Sequence, residues 1–265
     1  MNTSQLEDIC KRACEVVKVA GTFILEQAGQ VGDEQIETKA HNSLVSYVDK
    51  ESEKILVKGL SDILPESSFL TEEETVEQKG GPLRWIIDPL DGTTNFLHQL
   101  PCYNISVALE VEGELSIGIV LDVQTKELFY AWTSGGAFLN GKPIQVRKNI
   151  RLADSMVSTG FPYYDFGMTD QYLATLKILM QRARGIRRVG AAAIDLAYVA
   201  TGRYDTFFEY SLQPYDVAAG IVLVHEAGGR VNDFHGHQNY LFGKQIVASS
   251  PDIHEEMLGI LLENF

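Results

Sequence analysis

The chain has 265 residues, 45% of them hydrophobic and 22% charged, which is ordinary for a globular protein large enough to bury a substantial core. With 36 acidic residues against 22 Lys and Arg, the formal net charge of −14 argues against a general binder of nucleic acid or of anionic membranes. It does not exclude a phosphorylated substrate, because bound metal ions reverse the sign of the charge locally.

The three cysteines have no paired framework and predict reduced thiols in a cytoplasmic protein. No apolar run reaches transmembrane length, and the N-terminus lacks a basic-then-apolar targeting pattern. We therefore expect no membrane partner.

Two predicted helices open the chain. Residues 4–7, Ser-Gln-Leu-Glu, predict a capping box at the start of a long helix with one apolar stripe. Asp49 lies at the start of a second amphipathic helix, where it could be the N-cap.

Residues 68–70 then predict a short buried strand that runs into the acids at 72–74. An acidic run is usually a solvated turn, but a strand end can also bring carboxylates together.

The string at residues 85–96, Trp-Ile-Ile-Asp-Pro-Leu-Asp-Gly-Thr-Thr-Asn-Phe, is the most informative stretch. Its apolar start predicts a buried strand that ends at Asp88, since the following proline disfavours helical geometry there. One turn later, Asp91 would bring a second carboxylate to the same side. Gly92 permits close backbone approach, and Thr93 adds a hydroxyl and an N–H group. This donor set predicts a divalent metal that holds a phosphate, although Asp-Pro-x-Asp alone also fits an acidic capping turn.

The remaining signals predict two closely packed halves. Between residues 103 and 146, alternating apolar residues and glycine-containing turns predict an antiparallel, hairpin-rich sheet, whereas alternating helix and strand signals beyond it predict an α/β layered half. We place the halves at residues 1–150, α+β with the metal motif, and 151–265, α/β, and expect them to form one catalytic unit.

Further candidate site residues lie downstream. Asp216 follows a proline at a predicted helix start, where it is either stabilised by the helix dipole or drawn into the acidic cluster. The small residues Gly190, Ala191 and Ala192 open another predicted helix and permit either tight packing or close approach of a substrate. Glu209 ends a predicted strand.

Two separated segments, residues 85–96 and the Pro-Tyr-Asp-Val-Ala-Ala-Gly motif that begins at 214, resemble the signatures of the inositol monophosphatase family, within the lithium-sensitive, magnesium-dependent phosphatase superfamily. Family-like segments run in order from 39 to 250. The resemblance implies a layered α-β-α-β-α sandwich, α+β or α/β in class, a homodimer and inhibition by lithium. One departure is Tyr215, where the family usually has tryptophan. The retained ring is expected to keep the packing role.

The resemblance also implies the site. Two or three Mg²⁺ ions are expected, held by Glu72, Asp88, the Leu90 carbonyl, Asp91 and Asp216. The implied catalytic residues are Glu72 and Thr93, which orient the attacking water, and Asp49, which orients the threonine and a further magnesium. The implied substrate contacts are Gly92, Thr93, Gly190, Ala191, Ala192, Glu209 and Asp216.

The predicted activity is therefore magnesium-dependent hydrolysis of a phosphomonoester, inositol 1-phosphate, by a metal-activated water. Glu209 matches the family glutamate that accepts hydrogen bonds from substrate hydroxyls, and like-charge repulsion there would favour a polyol over a second phosphate. Phosphatases of 3′-phosphoadenosine-5′-phosphate, fructose-1,6-bisphosphate and histidinol phosphate share the metal motif and stay open as alternatives. Nucleotide-type members typically carry Lys-Glu where this chain has Thr-Asn at 94–95, which favours the inositol branch.

A different class of function also stays open. A protein of this fold could contact RNA or the transcription machinery through its basic cluster, which consists of Arg182, Arg184, Arg187 and Arg188. Carboxylates of the same fold could equally neutralise that cluster. The complete set of acidic ligands favours an enzyme.

Overall fold

A computed structural model describes residues 1–32, 34, 36–40, 43–78, 80–163 and 165–265, with the backbone alone at 36–40, 43 and 44. The helices are α1 (Thr3–Gln27), α2 (Tyr47–Ile63), α3 (Thr93–Leu97), α4 (Thr169–Arg182), α5 (Ala192–Ala200), α6 (Pro214–Glu226) and α7 (Pro251–Asn264). The strands are β1 (Ile36–Ala40), β2 (Ser43–Ser46), β3 (Ser68–Thr71), β4 (Leu83–Asp91), β5 (Asn104–Val111), β6 (Glu114–Asp122), β7 (Glu127–Trp132), β8 (Gly136–Leu139), β9 (Lys142–Ile144), β10 (Met156–Thr159), β11 (Gly185–Arg187), β12 (Thr206–Tyr210), β13 (Arg230–Asn232) and β14 (Gln245–Ser249).

The strands form two large sheets and the small β1–β2 hairpin. The larger sheet has seven strands in the order β3-β4-β5-β6-β7-β8-β9, antiparallel except for the parallel β3–β4 pair. The second has five strands in the order β11-β10-β12-β14-β13, parallel among β11, β10 and β12 and antiparallel beyond them. The predicted antiparallel sheet is confirmed, and the domain boundary proposed near residue 150 lies between the two sheets.

Five layers follow from the alternation of side chains along the strands. Trp85, Ile105 and Ile117 share one apolar cluster with α1 and α2, whereas Ile86 and Ala108 turn to the other face and pack with α5 and α6. Phe207 of the five-stranded sheet completes the central cluster, and the opposite face of that sheet packs against α4 and α7. This is the predicted α-β-α-β-α sandwich.

Both predicted helix starts need correction. The capping box of α1 joins Asn2 and Gln5, each side chain bonded to the other's backbone N–H at 2.9 Å, and does not involve residues 4 and 7. The N-cap of α2 is Ser46, whereas Asp49 is the third helical residue and accepts the Ser46 N–H at 2.8 Å. Each helix therefore begins slightly earlier than predicted, where the reciprocal pair satisfies its free N–H groups.

Within the described residues, no helix is long and apolar enough to cross a bilayer. The three cysteines are free thiols, two of them buried.

Candidate active site

A cleft of about 330 Å³ opens where β4 ends and where α5 and α6 begin. Except for Asp49, every residue that the sequence predicted for the site lines this cleft: Glu72, Asp88, Leu90, Asp91, Gly92, Thr93, Gly190, Ala191, Ala192, Glu209 and Asp216. Asp49 is buried and contacts Thr93. Residues far apart in the chain thus meet in one place.

Strand β4 delivers the first two carboxylates. It does not end at Asp88, as predicted, but continues to Asp91 through an irregularity in its pairing with β5. Asp88 pairs with Ser106 and Asp91 with Asn104, and Pro89 lies between them, where its missing N–H breaks no ladder hydrogen bond. Because Asp88 is two residues from Ile86, it lies on the sheet face that α6 covers.

The turn after β4 requires glycine. Gly92 has φ +90°, and a Cβ there would lie 2.7 Å from the Cys102 carbonyl oxygen. The next residue, Thr93, places its hydroxyl oxygen 2.9 Å from Asp49 Oδ1 and 3.0 Å from the Leu90 carbonyl oxygen. Since a hydroxyl has one proton, it donates to one of these acceptors at a time.

Glu72 follows β3, which lies parallel to β4, so the two strands present acids at the same sheet edge. The loop is held by Glu53 of α2, a fully buried residue that sequence reasoning missed. Its carboxylate accepts hydrogen bonds from Thr71 Oγ1 at 3.0 Å, the Glu73 N–H at 2.8 Å, and the N–H and hydroxyl of Thr75, each at 2.7 Å. A buried carboxylate with this many donors anchors the loop that carries Glu72.

Two helix starts complete the acidic side. Asp91 Oδ2 accepts the Ala193 N–H of α5 at 2.9 Å and the Asn104 amide at 3.0 Å. Asp216, in the first turn of α6, accepts the Gln213 N–H at 2.7 Å as part of a capping box. Free N–H groups at helix starts favour negative charge, which explains why carboxylates are tolerated there.

The four acids Glu72, Asp88, Asp91 and Asp216, here called the acidic floor, lie together in the cleft. Burial, and then the charges of Glu72 and Asp91, raise the pKa of Asp88 well above its usual range. Burial also raises the pKa of Asp91 to about 6, against hydrogen bonds from Asn104 and Ala193, and that of Asp216 to about 7. Bringing these carboxylates together in the cleft therefore costs free energy of folding.

Such a floor fits a divalent cation. Carboxylates and a backbone carbonyl are the hard oxygen donors that Mg²⁺ prefers, and a cation would offset the burial and the like-charge repulsion that raise the pKa values of Asp88 and Asp216. Among the described residues, no three His, Cys, Asp or Glu side chains already converge as a closed metal centre. The chemistry of the donors, not a preformed cage, is what supports metal binding.

Glu209, near the end of β12, also lines the cleft. A Cβ at Gly160 would fall 2.0 Å from its carboxylate, so the glycine provides the space that this side chain occupies. Burial, and then the charges of Asp195 and Asp216, raise the pKa of Glu209 well above its usual range.

The other side of the cleft was not predicted from the sequence. Phe161 and Tyr163 form an aromatic wall, and the Arg188 guanidinium lies over both rings. The basic cluster is therefore divided: Arg182 pairs with Glu256 and Arg184 with Asp154 at 3.1 Å, whereas Arg188 lines the cleft. In the sequence, the one available signal for this aromatic wall was the presence of aromatic residues and of an arginine with no assigned acidic partner, and that signal is weak.

The fold and site together define a layered α/β protein with an acidic cleft whose oxygen donors suit divalent cations. Residues 5–264 match the sequence profile of the inositol monophosphatase family, and the chain belongs to that family.

Similar proteins carry two kinds of name. The chain is 42% identical over 250 residues to "Putative Nus factor SuhB" of Neisseria meningitidis serogroup B, covering 94% of this chain and 96% of that protein. It is 39% identical over 240 residues to "Inositol-1-monophosphatase" of Mesorhizobium japonicum, covering 90% of each. The crystal structure of the extragenic suppressor protein suhB from Bartonella henselae superposes with a TM-score of 0.89 at 38% identity, over 95% of this chain and 97% of that one.

Proposed function

We propose that this chain is a Mg²⁺-dependent phosphomonoesterase that hydrolyses inositol 1-phosphate to inositol and phosphate. The observation that carries the proposal is the convergence of Glu72, Asp88, Asp91 and Asp216 on one cleft from three separate segments, the loop after β3, strand β4 and the start of α6. Family membership supports the reaction class, and the Mesorhizobium relative's name supports the substrate.

The acidic floor and the Leu90 carbonyl would hold two or three Mg²⁺ ions. When bound, these ions supply Lewis-acid neutralisation of the charge on the transferring phosphoryl group and on the leaving oxygen. Their number stays a prediction from the family resemblance.

The chain's own groups would position the reactants. The Gly92 and Thr93 N–H groups, at the start of α3, would bind phosphate oxygens. With its hydroxyl proton directed to Asp49, the Thr93 oxygen is left to accept a hydrogen bond from the attacking water, which Glu72 would also orient. Gly190, Ala191, Ala192 and Glu209 would contact the leaving group. This reaction needs no covalent intermediate and no nucleophilic Ser or Cys.

Phosphate release from a panel of esters, each with and without Mg²⁺, tests the proposal. The panel is inositol 1-phosphate, 3′-phosphoadenosine-5′-phosphate, fructose-1,6-bisphosphate and histidinol phosphate. We expect magnesium-dependent turnover of inositol 1-phosphate, inhibited by millimolar lithium. Turnover of another ester would keep the metal chemistry and change the substrate, whereas inactivity on all four would refute the phosphatase assignment.

Other expectations from the resemblance stay predictions. A cytoplasmic location and a homodimer are both expected, and light scattering of the purified chain measures the second. Leu173 and Met180 are exposed on α4, 53% and 66% respectively, which leaves apolar surface that a second copy could cover.

A second function is supported by the Neisseria relative, whose name is that of a Nus factor. We infer a contact with RNA or the transcription machinery beside catalysis. With Arg182 and Arg184 paired to acids and Arg188 in the cleft, exposed Arg187 is the member of the basic cluster assigned to this contact. A salt-sensitive pull-down that is lost in Arg187→Ala would support the contact, and one that is unaffected would exclude this surface.

A further inference from the structure

Arg188 has an unusual position for a cation. Among the described residues that line the cleft, it is the only Lys, Arg or His, and it shares the cleft with Glu209 and the acidic floor. Its side chain is exposed, and in the described part of the chain no carboxylate lies within ion-pair distance of it. Because no acid among the described residues pairs with Arg188, other contacts must hold its guanidinium in this position.

The aromatic wall positions it. The guanidinium carbon lies 5.2 Å from the Phe161 ring centroid and 5.6 Å from that of Tyr163, and one guanidinium nitrogen donates to the Tyr163 hydroxyl. Gly190, at φ +88°, turns the chain just after Arg188 so that the arginine and the start of α5 both face the cleft. Stacking on two rings restrains the planar guanidinium group of Arg188, and most of its five N–H groups remain available to a ligand.

The charge of Arg188 acts on the interior of the cleft. It lowers the pKa of Glu209 and of the buried Asp195, although burial outweighs it in both. A ligand group near Glu209 would therefore lie within the field of a positive charge.

We propose that Arg188, restrained by the aromatic wall, binds a second anionic group on the leaving portion of a phosphorylated substrate. The group would be a carboxylate or a second phosphate, both of which match the planar fork of an arginine. The reacting phosphate would lie at the metal-loaded acidic floor and the second anion at Arg188, so Arg188 would favour anionic over cationic leaving groups among the esters that the site accepts. This inference rests on the phosphomonoesterase proposed above and extends it to a charge preference.

Four esters that differ in the charge of the leaving group test the inference, all assayed with Mg²⁺ for kcat/KM. The leaving group of inositol 1-phosphate is neutral. That of 3-phosphoglycerate carries a carboxylate, that of fructose-1,6-bisphosphate a phosphate, and that of histidinol phosphate an ammonium. Arg188→Met should lower kcat/KM for the two anionic esters by about 10- to 100-fold. It should leave the neutral ester within about threefold and raise the cationic one. The two anionic esters show whether carboxylate or phosphate is preferred.

Matched variants separate recognition from support of the wall. Arg188→Lys keeps the positive charge but lacks the planar guanidinium. Its kcat/KM for the anionic esters should lie between those of wild type and Arg188→Met. Arg187→Met removes an adjacent exposed arginine that does not line the cleft and should show no charge trend. Equal losses for all four esters in Arg188→Met would overturn the inference.

Calorimetric binding of the same esters distinguishes the two proposals. If no ester is hydrolysed, the phosphatase assignment fails, yet a loss of affinity confined to the anionic esters in Arg188→Met would still support anion recognition. Unchanged affinity for the anionic esters would refute it.

Discussion

The Thr93 hydroxyl lies 2.9 Å from Asp49 Oδ1, joining the turn after β4 to the first turn of α2. Asp49 is 1% exposed, and its other oxygen accepts the N–H and the hydroxyl of Ser46, each at 2.8 Å. Asp49 thus completes the capping box of α2 with one oxygen and contacts the Thr93 hydroxyl with the other. The N-cap prediction for Asp49 was wrong, because Ser46 holds that position.

Removal of the Thr93 hydroxyl should impair chemistry more than binding. Thr93→Val keeps the shape but cannot position water, so we expect kcat to fall by about 100-fold or more with little change in KM. Thr93→Ser keeps the hydroxyl and serves as the control. Steady-state phosphate release measures both, and similar kcat values for the two variants would contradict the role given to the hydroxyl.

Asp91→Asn should reduce turnover by about two or more orders of magnitude, because a neutral amide is a poor Mg²⁺ ligand. The thermal midpoint should change little, since the variant removes a carboxylate whose burial already raises its pKa. Asp122→Asn is the control: Asp122 is a buried carboxylate that accepts a hydrogen bond from the Thr125 N–H outside the cleft. Normal turnover in Asp91→Asn would defeat the metal assignment.

Glu53→Gln should weaken metal binding without touching the cleft. An amide nitrogen cannot accept the hydrogen bonds that now anchor residues 71–75, so the loop that carries Glu72 loses its support. We expect the Mg²⁺ concentration for half-maximal activity to rise about 10- to 100-fold, with activity recovering at high Mg²⁺. Glu51→Gln, exposed on the same helix, is the control. An unchanged Mg²⁺ titration would show that Glu53 has no such role.

Asp195→Asn should stabilise the fold above neutral pH. Asp195 is 1% exposed, and neither carboxylate oxygen makes a hydrogen bond of normal geometry among the described residues, although the nearby Ser158 hydroxyl lowers its pKa. Burial raises its pKa well above 3.8, so the unfolded chain loses this proton first and stability falls as the pH rises above about 4. The asparagine variant lacks this loss, and its advantage in urea unfolding should grow to about 1–3 kcal/mol by pH 8. A pH-independent difference between the two proteins would refute this.

His254 should make the fold acid-sensitive. It is fully buried, with its ring nitrogens 2.6 Å from Ser249 Oγ and 2.8 Å from Asn232 Oδ1. Burial, and then the charge of Arg230, lower its pKa to about 4. The unfolded chain takes up the proton near pH 6.5, so stability is complete above that value and falls by about 3 kcal/mol as the pH drops to 4. His254→Gln should be less stable at pH 7 but lose less on acidification, and parallel pH profiles would contradict the assignment.

The sequence alone determined the features that depend on neighbours along the chain. The apolar run before Asp88, the glycine that the turn at 92 requires and the proline that opens α6 are local signals, and each lies where it was predicted. The five-layer fold followed from family resemblance. Details that depend on hydrogen bonding were wrong: β4 continues to Asp91, and Asp49 is not an N-cap.

Only the tertiary structure decided which distant residues meet. Glu53 has no pattern that marks it, since its role depends on a loop that folds back over α2. Arg188 belonged to a basic cluster in the sequence, but packing divided that cluster between acidic partners and the aromatic wall. The physical reason is that local propensity depends on adjacent residues, whereas burial, charge pairing and pKa depend on which surfaces the layers bring into contact.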